Sequence, residues 1–448
     1  MQMIDRFFAV AVDWAWGWPL IILLVGGGTY LTLRSRFLPF FGARHAYHII
    51  RGKYDDPGDP GEISHFQALS TALSSTVGMG NISGVAIAIT QGGPGAVFWM
   101  WVAAIVGMAT KFFTCTLACM YRQTDETGTL QGGPMYYIEA GLGPRFRVLA
   151  VLFSICGLVG CLALFQVNQL AEVLEASHAV PRWATGAVSA TVVAIVVLGG
   201  IQRIGKVASW LVPFMCLVYV LACLVVLCQS WRLIPEIFLQ IVHDAFTGSA
   251  AVGGAAGITV SQVITTGVKR AAFSNEAGIG TAPMAHGAAK TREPVREGLV
   301  AMVGPFIDTL VICSMTAFVI LASGDWRTGG DVEGVALTAK AFESAIGELG
   351  KYLVTAAVVL FAISTMFGYA YYGRKCFAYL FGARRGRYYE YVYVGTLLVG
   401  AVWSLGTVVN MLDTAFALMA LPNMIATLLL APRVLQATRD YFNRSAIV

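Results

Sequence analysis

Charge is what this chain has least of. Asp, Glu, Lys and Arg make up 12% of its 448 residues, against 57% hydrophobic residues, and the mean hydropathy is +0.69. Water-soluble chains carry about 25% charged residues, and a soluble surface of this size needs that charge for cover. The scarcity excludes a soluble enzyme, a disordered tail protein and a secreted disulfide scaffold. Paired cysteine motifs are missing as well. The nine Cys show no Cys-x-x-Cys spacing and fall in or beside apolar stretches, where packing rather than metal ligation is expected. A net charge of +5 is too small to point to nucleic acid. The six His lie near loops or helix ends, and no HExxH or GxSxG set stands in a helix. That argues against an intramembrane enzyme. Met1 to Trp18 has no basic segment leading to a small-residue cleavage site, so no signal peptide is expected.

What is there is a series of long uncharged runs. Residues 63–110 hold no Asp, Glu, Lys or Arg over 48 positions, enough for two crossings at roughly 20 residues each. Eleven transmembrane helices are expected, near 18–34, 65–90, 95–118, 148–173, 183–201, 207–229, 236–268, 298–322, 351–373, 388–408 and 412–432. The seventh is long enough to be broken. Of the 30 Lys and Arg, 23 fall in alternate loops on one side, Lys269 and Arg270 among them, six fall on the other, and Lys111 lies near a helix end. The basic side is cytoplasmic by the positive-inside bias, so the N-terminus is expected outside and the C-terminus inside a plasma or inner membrane.

Two of these helices look interrupted. Ser74-Ser75-Thr76-Val77-Gly78-Met79-Gly80-Asn81-Ile82-Ser83-Gly84 places glycines, hydroxyls and an Asn in mid-span. An unwound segment offers N–H groups from one half-helix and C=O groups from the other, suited to a carboxylate and a cation. A close-packed small-residue interface is the alternative. Gly248 to Gly257 has a matching weakness five helices later, around Gly253 and Gly254. Breaks at corresponding positions of two halves point to an inverted repeat. The expected organisation is an extra helix and loop over 1–64, a first five-helix repeat over 65–230, a second, inverted one over 231–432, and a tail over 433–448.

Asp308 is the only acid this reading leaves deep in a helix, and such residues are usually functional. It is read as a Na⁺ ligand or proton site, with Asn81 and Thr309 as further oxygen donors; an acid at a water-filled mouth is the other possibility. Gln166, Asn168 and Gln169 interrupt the fourth helix, and one of them is expected to face the interior. Ser364-Thr365 is a hydroxyl pair in the ninth. Bulky Met79, Phe165 and Ile258 near the breaks would leave room for a small substrate only.

The run from Gly92-Gly93-Pro94-Gly95 through Trp99-Met100-Trp101 to Gly107 resembles the signature of the alanine or glycine:cation symporter family, the sodium/alanine symporters. Gln131-Gly132-Gly133-Pro134-Met135-Tyr136-Tyr137-Ile138 and Phe273 to Pro283 resemble further motifs of that family. The resemblance implies Na⁺-coupled uptake of alanine or glycine on an all-α, leucine-transporter-like fold of five plus five helices. It implies that the N–H groups of Met79 and Gly80, next to Gly78, take the substrate carboxylate and the Thr76 carbonyl takes the ammonium. Asn81 would ligate one Na⁺. Ser74 and Val77 carbonyls, with Ser364 and Thr365, would hold a second. Gln166 would lie on the helix closing over the substrate, and Asp308 near the first Na⁺. The Ser274 to Pro283 motif is placed at the cytoplasmic mouth as a loop, and 131–143 as a re-entrant turn or short surface helix. A proton-coupled permease of the same fold and, more distantly, a channel remain open.

Overall fold

The computed structural model describes residues 2–248, 258–328 and 334–445. An N-terminal helix α1 (Gln2–Ala15) leads into α2 (Trp18–Arg34), and the short amphipathic α3 (Ala43–Ile50) buries His45, Ala46 and Ile49. The first interrupted helix follows as α4 (His65–Thr76) and α5 (Gly80–Gly92), bent by 51° at the break. Next come α6 (Gly95–Met120), a two-stranded hairpin of β1 (Gln123–Thr124) and β2 (Leu130–Gln131), and the short α7 (Pro134–Leu142). Helices α8 (Arg147–Gly160), α9 (Leu164–His178), α10 (Arg182–Val197) and α11 (Gly200–Gln229) complete the first half.

The second half begins with α12 (Ile234–Thr247), α13 (Val260–Asn275) and the one-turn α14 (Ala282–His286). After these run α15 (Pro294–Ser323), α16 (Val335–Ile346), α17 (Glu348–Phe381), α18 (Gly386–Val402) and α19 (Leu405–Ser445). Among the described residues, six helices are long and apolar enough to cross a bilayer, and the bent α4–α5 pair makes a seventh. Trp18–Arg34 and Arg182–Val197 are apolar but shorter.

Local chemistry sets the ends of the two interrupted helices. Ser64 caps α4 and Gln67 returns the bond to the Ser64 N–H; Thr259 and Gln262 do the same for α13. Such reciprocal caps satisfy the orphan donors of a helix start. α4 stops because Val77 turns extended (φ −74°, ψ 92°). α13 stops because Glu276 adopts a left-handed conformation (φ 55°), followed by Gly278 and Gly280 at φ 87° and 102°. The helix expected over 236–268 is therefore two helices, 234–247 and 260–275. The break of the second half comes after Asn275.

α6 runs through the middle of the bundle and packs on α13, α15, α12 and α2. Outer faces of α10 and α11 leave Ile195, Trp210 and Leu217 exposed at 64%, 71% and 59%. Apolar exposure on that scale fits lipid rather than water. One end of the bundle is tied by Arg122, which donates to Ala289 O at 2.7 Å and Thr291 O at 2.5 Å. Nearby, Glu297 of α15 sits between His65 at the start of α4 and His286 at the end of α14, the latter at 2.5 Å.

Candidate functional site

The two breaks meet at the centre. A Cβ added to Gly80 would stand 3.1 Å from Ser274 Cα, so the two interrupted backbones touch there. Gly80 to Gly84 and Phe306 to Cys313 are π-helical, a winding that is rare and often marks functional positions. These two stretches present Asn81 and Asp308 to each other. Asn81 Nδ2 donates to Asp308 Oδ1 at 2.8 Å and to Asp308 O at 3.0 Å. Asn81 Oδ1 accepts from the Gly78 N–H at 2.7 Å, capping the second half of the broken helix. Asp308 Oδ2 accepts from Ser274 Oγ at 2.9 Å and Thr309 Oγ1 at 2.7 Å. Asn275 Nδ2 donates to Thr309 Oγ1 at 2.9 Å. All five side chains are buried. The cluster is rich in hard oxygen donors from three segments, the ligand type that alkali and alkaline-earth cations take. Among the described residues no group of three His, Cys, Asp or Glu is placed to hold a metal ion.

On the other flank of the first break, α17 comes in close. A Cβ on Gly78 would collide with Thr365 Oγ1, and one on Gly368 with Ser75 Oγ. Ser364 and Thr365 hydroxyls both donate to Phe361 O, at 2.9 and 3.0 Å, which leaves their oxygen lone pairs for a ligand. Ser74 Oγ donates back to Thr71 O at 2.8 Å. Thr76, Val77 and Met79 are buried at the same level.

The three amides of α9 separate in role. Asn168 donates to Gly400 O and Trp403 O at 3.1 and 2.7 Å, tying α9 to α18. Gln169 accepts from Ser83 Oγ at 2.5 Å and from the Val335 N–H at 3.2 Å. Gln166 is buried and its Oε1 has no partner among the described residues. Beside it Phe165 meets Phe273 of α13 edge-on at 5.2 Å.

Several expectations need correction. Gly253 and Gly254 lie outside the described residues, between α12 and α13, and the described residues show a further break after Asn275. The Ser274 to Pro283 motif is no cytoplasmic loop. It is buried in the bundle centre, where Asn423 of α19 donates to Gly278 O at 2.7 Å and Tyr137 of α7 bonds Asn423. Within the 131–143 segment, Pro134–Leu142 forms the short packed helix α7, which buttresses that break. Lys269 and Arg270 are not loop charges. They belong to α13 and pair with Asp413 of α19, Lys269 at 2.9 Å. Asp308 is not the only acid inside. Glu276, Glu297 and Asp413 are as buried. Lys111 is not at a helix end but buried in α6, close enough to Glu276 and Asp308 to act on both electrostatically. Ile258 packs by Gly248 at the outer end of α13, away from the breaks.

Ser274, Asn275, Glu276 and Lys111 are the site residues that pattern reading missed. Glu276 has one oxygen bonded to Thr281 Oγ1 at 2.5 Å and the other without a partner among the described residues. The signal was present in two places. Thr259-x-x-Gln262 repeats the start of α4, and Gly278 and Gly280 mark a backbone only glycine adopts readily.

The chain belongs to the sodium:alanine symporter family, whose profile matches residues 1–446. It is 42% identical to the sodium/alanine symporter AgcS of Methanococcus maripaludis, over 96% of this chain and 95% of that one. An uncharacterized transporter of Haemophilus influenzae is 41% identical over 99% and 97%. The probable sodium/glutamine symporter GlnT of Bacillus subtilis is 34% identical over 98% and 91%. Solved structures give the fold. MhsT in complex with L-phenylalanine aligns with a TM-score of 0.55 at 13% identity, over 85% of this chain and 98% of that one. An Eremococcus coleocola manganese transporter aligns at 0.56 and 11%, over 82% and 78%. The chain is thus a multi-pass helical membrane protein of leucine-transporter-like fold, in a family of cation-coupled amino acid symporters.

Proposed function

We propose that this member of the sodium:alanine symporter family couples Na⁺ entry to uptake of a small neutral amino acid, alanine or glycine, by alternating access. The Asn81–Asp308 pair, set where two interrupted helices touch, carries the reading. Asp308 supplies the charge a cation needs, and Asn81, Ser274 and Thr309 supply oxygen. Loading the site turns Asn81 Oδ1 from the Gly78 N–H to the ion. That frees an N–H beside those of Met79 and Gly80, which head the second half-helix and have no carbonyl one turn back. The freed donors take the substrate carboxylate, and the Thr76 carbonyl takes the ammonium.

Val77 and Ser74 carbonyls with the Ser364 and Thr365 hydroxyls form a second Na⁺ site between α4 and α17. Gln166, with its free Oε1, closes over the substrate, and the Phe165–Phe273 pair limits it to a small side chain. With the N-terminus outside, the start of α4 faces the cytoplasm. Relatives named for alanine and for glutamine support an amino acid substrate and leave its size to this pocket.

The test is uptake of labelled alanine into proteoliposomes under a Na⁺ gradient, a choline control and an imposed pH gradient, with cold glycine, serine and glutamine as competitors. Uptake that needs Na⁺ and yields to glycine is expected. Uptake that follows the pH gradient and ignores Na⁺ would mark a proton-coupled carrier instead.

A further inference from the structure

A cavity of about 160 Å³ lies at the α4 end of the bundle, lined by Glu62, Asp125, Gln131, Tyr371, Arg374 and Lys375 among others. It is well separated from the central site. Thr365 and Lys375 lie ten residues apart on α17, about 15 Å at the rise of an α-helix. Glu62 precedes the Ser64 cap of α4, so the whole of α4 separates it from the break. Between the two sites α4 and α17 are pressed together at Ser75 and Gly368. The cavity therefore sits where a substrate would emerge once the first half of the broken helix parts from α17.

Its lining is built for a molecule carrying both charges. Two carboxylates, Glu62 and Asp125, and two cations, Arg374 and Lys375, share one small space. Lys375 is buried, and its ammonium donates to Gln131 Oε1 at 2.5 Å and Leu130 O at 3.4 Å. An ammonium has three donors, so one remains for an incoming carboxylate. The Lys375 ammonium also lies 5.1 Å from the centre of the Tyr371 ring. The Tyr371 hydroxyl is buried and has no partner among the described residues. An orphaned buried hydroxyl is costly unless something completes it.

Burial pushes the Glu62 carboxyl above its ordinary range, against the pull of Lys375 and Arg374, so an arriving ammonium relieves it. Burial also acts on Asp125, but bonds from Thr127, Thr129 and Gln131 outweigh it and hold that carboxyl down. Arg374 is held to Glu390 at 2.6 Å through one nitrogen only. Thr127 at the rim is exposed, which opens the cavity to solvent.

We propose that this cavity is a second binding site for the transported amino acid, independent of Na⁺ and lying on the release side. The carboxylate is bound by Lys375 and the Tyr371 hydroxyl, and the ammonium by Glu62 and Asp125. The inference rests on the substrate reading above.

Equilibrium binding of labelled alanine to the full chain in lipid nanodiscs tests it, in NaCl and in choline chloride. Two sites per chain are expected in NaCl and one, the weaker, in choline. Tyr371→Phe weakens the choline-resistant component about tenfold and Lys375→Gln removes it, while both variants keep the Na⁺-dependent component. That retained component also certifies folding; Tyr371→Phe, which loses one unpartnered hydroxyl, decides if Lys375→Gln misfolds. Acetate and ethylamine, each bearing one of the two charges, leave the choline-resistant component in place. The proposal is overturned if wild type binds nothing in choline, if Tyr371→Phe in a folded chain leaves that binding unchanged, or if acetate alone displaces it. Loss of the Na⁺-dependent component in wild type would instead overturn the symport reading.

Discussion

Both interrupted helices begin with the same device and stop in different ways. α4 opens on Ser64 with Gln67, and α13 on Thr259 with Gln262. Twelve residues later α4 gives way to an extended Val77, and the segment's own residues, Ser74 to Gly84, are neutral: hydroxyls, an amide and glycines among them. After sixteen residues α13 gives way to a left-handed Glu276, and the surroundings are charged: Glu276, Lys111 and, nearly two turns earlier, Arg270 with Asp413. The first break needs Gly78 for closeness, because Thr365 occupies the space of a Cβ. The second needs Gly278 and Gly280 for conformation, at φ 87° and 102°. The halves share a plan and differ in chemistry. On the proposed function, the neutral break holds the zwitterion and the ions that come and go. The charged break is fastened by α7, α19 and the Arg270–Asp413 pair, and holds Ser274 against Asp308 of α15.

That contrast can be broken by substitution. Asp308→Ala removes the carboxylate that Asn81 and Ser274 both bond and is expected to lower Na⁺-driven alanine uptake at least about 100-fold, the factor some 3 kcal/mol of lost charged hydrogen bonding represents. Normal uptake in a folded variant would detach the ion from this site. Asp413→Leu leaves the buried Arg270 and the half-buried Lys269 without their carboxylate and costs about 3–5 kcal/mol. A lowered melting temperature in detergent reads this, and adding Arg270→Met restores part of it; a fully stable single variant would mean the charged break is not fastened by this pair.

Gly280→Ala forces a side chain into a left-handed position already crowded by Phe153 and Asn423 at 2.8 and 2.9 Å, and costs about 1–3 kcal/mol. Trimming a neighbour, as in Phe153→Leu, does not recover it. Gly78→Ala costs a similar amount through crowding alone, and Thr365→Ala recovers its melting temperature though not its transport. Equal rescue at both positions would erase the distinction between closeness and conformation. The smallest effect is Ser83→Ala. Gln169 keeps the Val335 N–H, so the loss is about 1 kcal/mol and alanine affinity changes by less than about fivefold.

The membrane class and the first break were legible because both are written in neutral residues: uncharged runs for the spans, and Thr76 to Asn81 for the interruption. Orientation arithmetic works on loop charge, and that hides the break after Asn275. Lys269 and Arg270 read as a loop only because their neutralising partner, Asp413, stands more than 140 positions further on. With them counted as a loop, Ser274 to Pro283 reads as lying outside the membrane. The local signal that would have corrected this was the repeated cap, Ser64-x-x-Gln67 and Thr259-x-x-Gln262. The π-helical winding that turns Asn81 toward Asp308 has no such signal, because it follows from how α5 and α15 pack.

The central claim is that a cation at Asn81 and Asp308 prepares the neutral break for substrate. Alanine binding measured at equilibrium across Na⁺ concentration, in wild type and in Asp308→Asn, tests it most directly. Linkage requires Na⁺ to tighten alanine binding by the same factor by which alanine tightens Na⁺. A steep rise in affinity with Na⁺ in wild type, flattened in Asp308→Asn, is the expected result. Alanine affinity indifferent to Na⁺ in wild type, or equally responsive in both proteins, would contradict it.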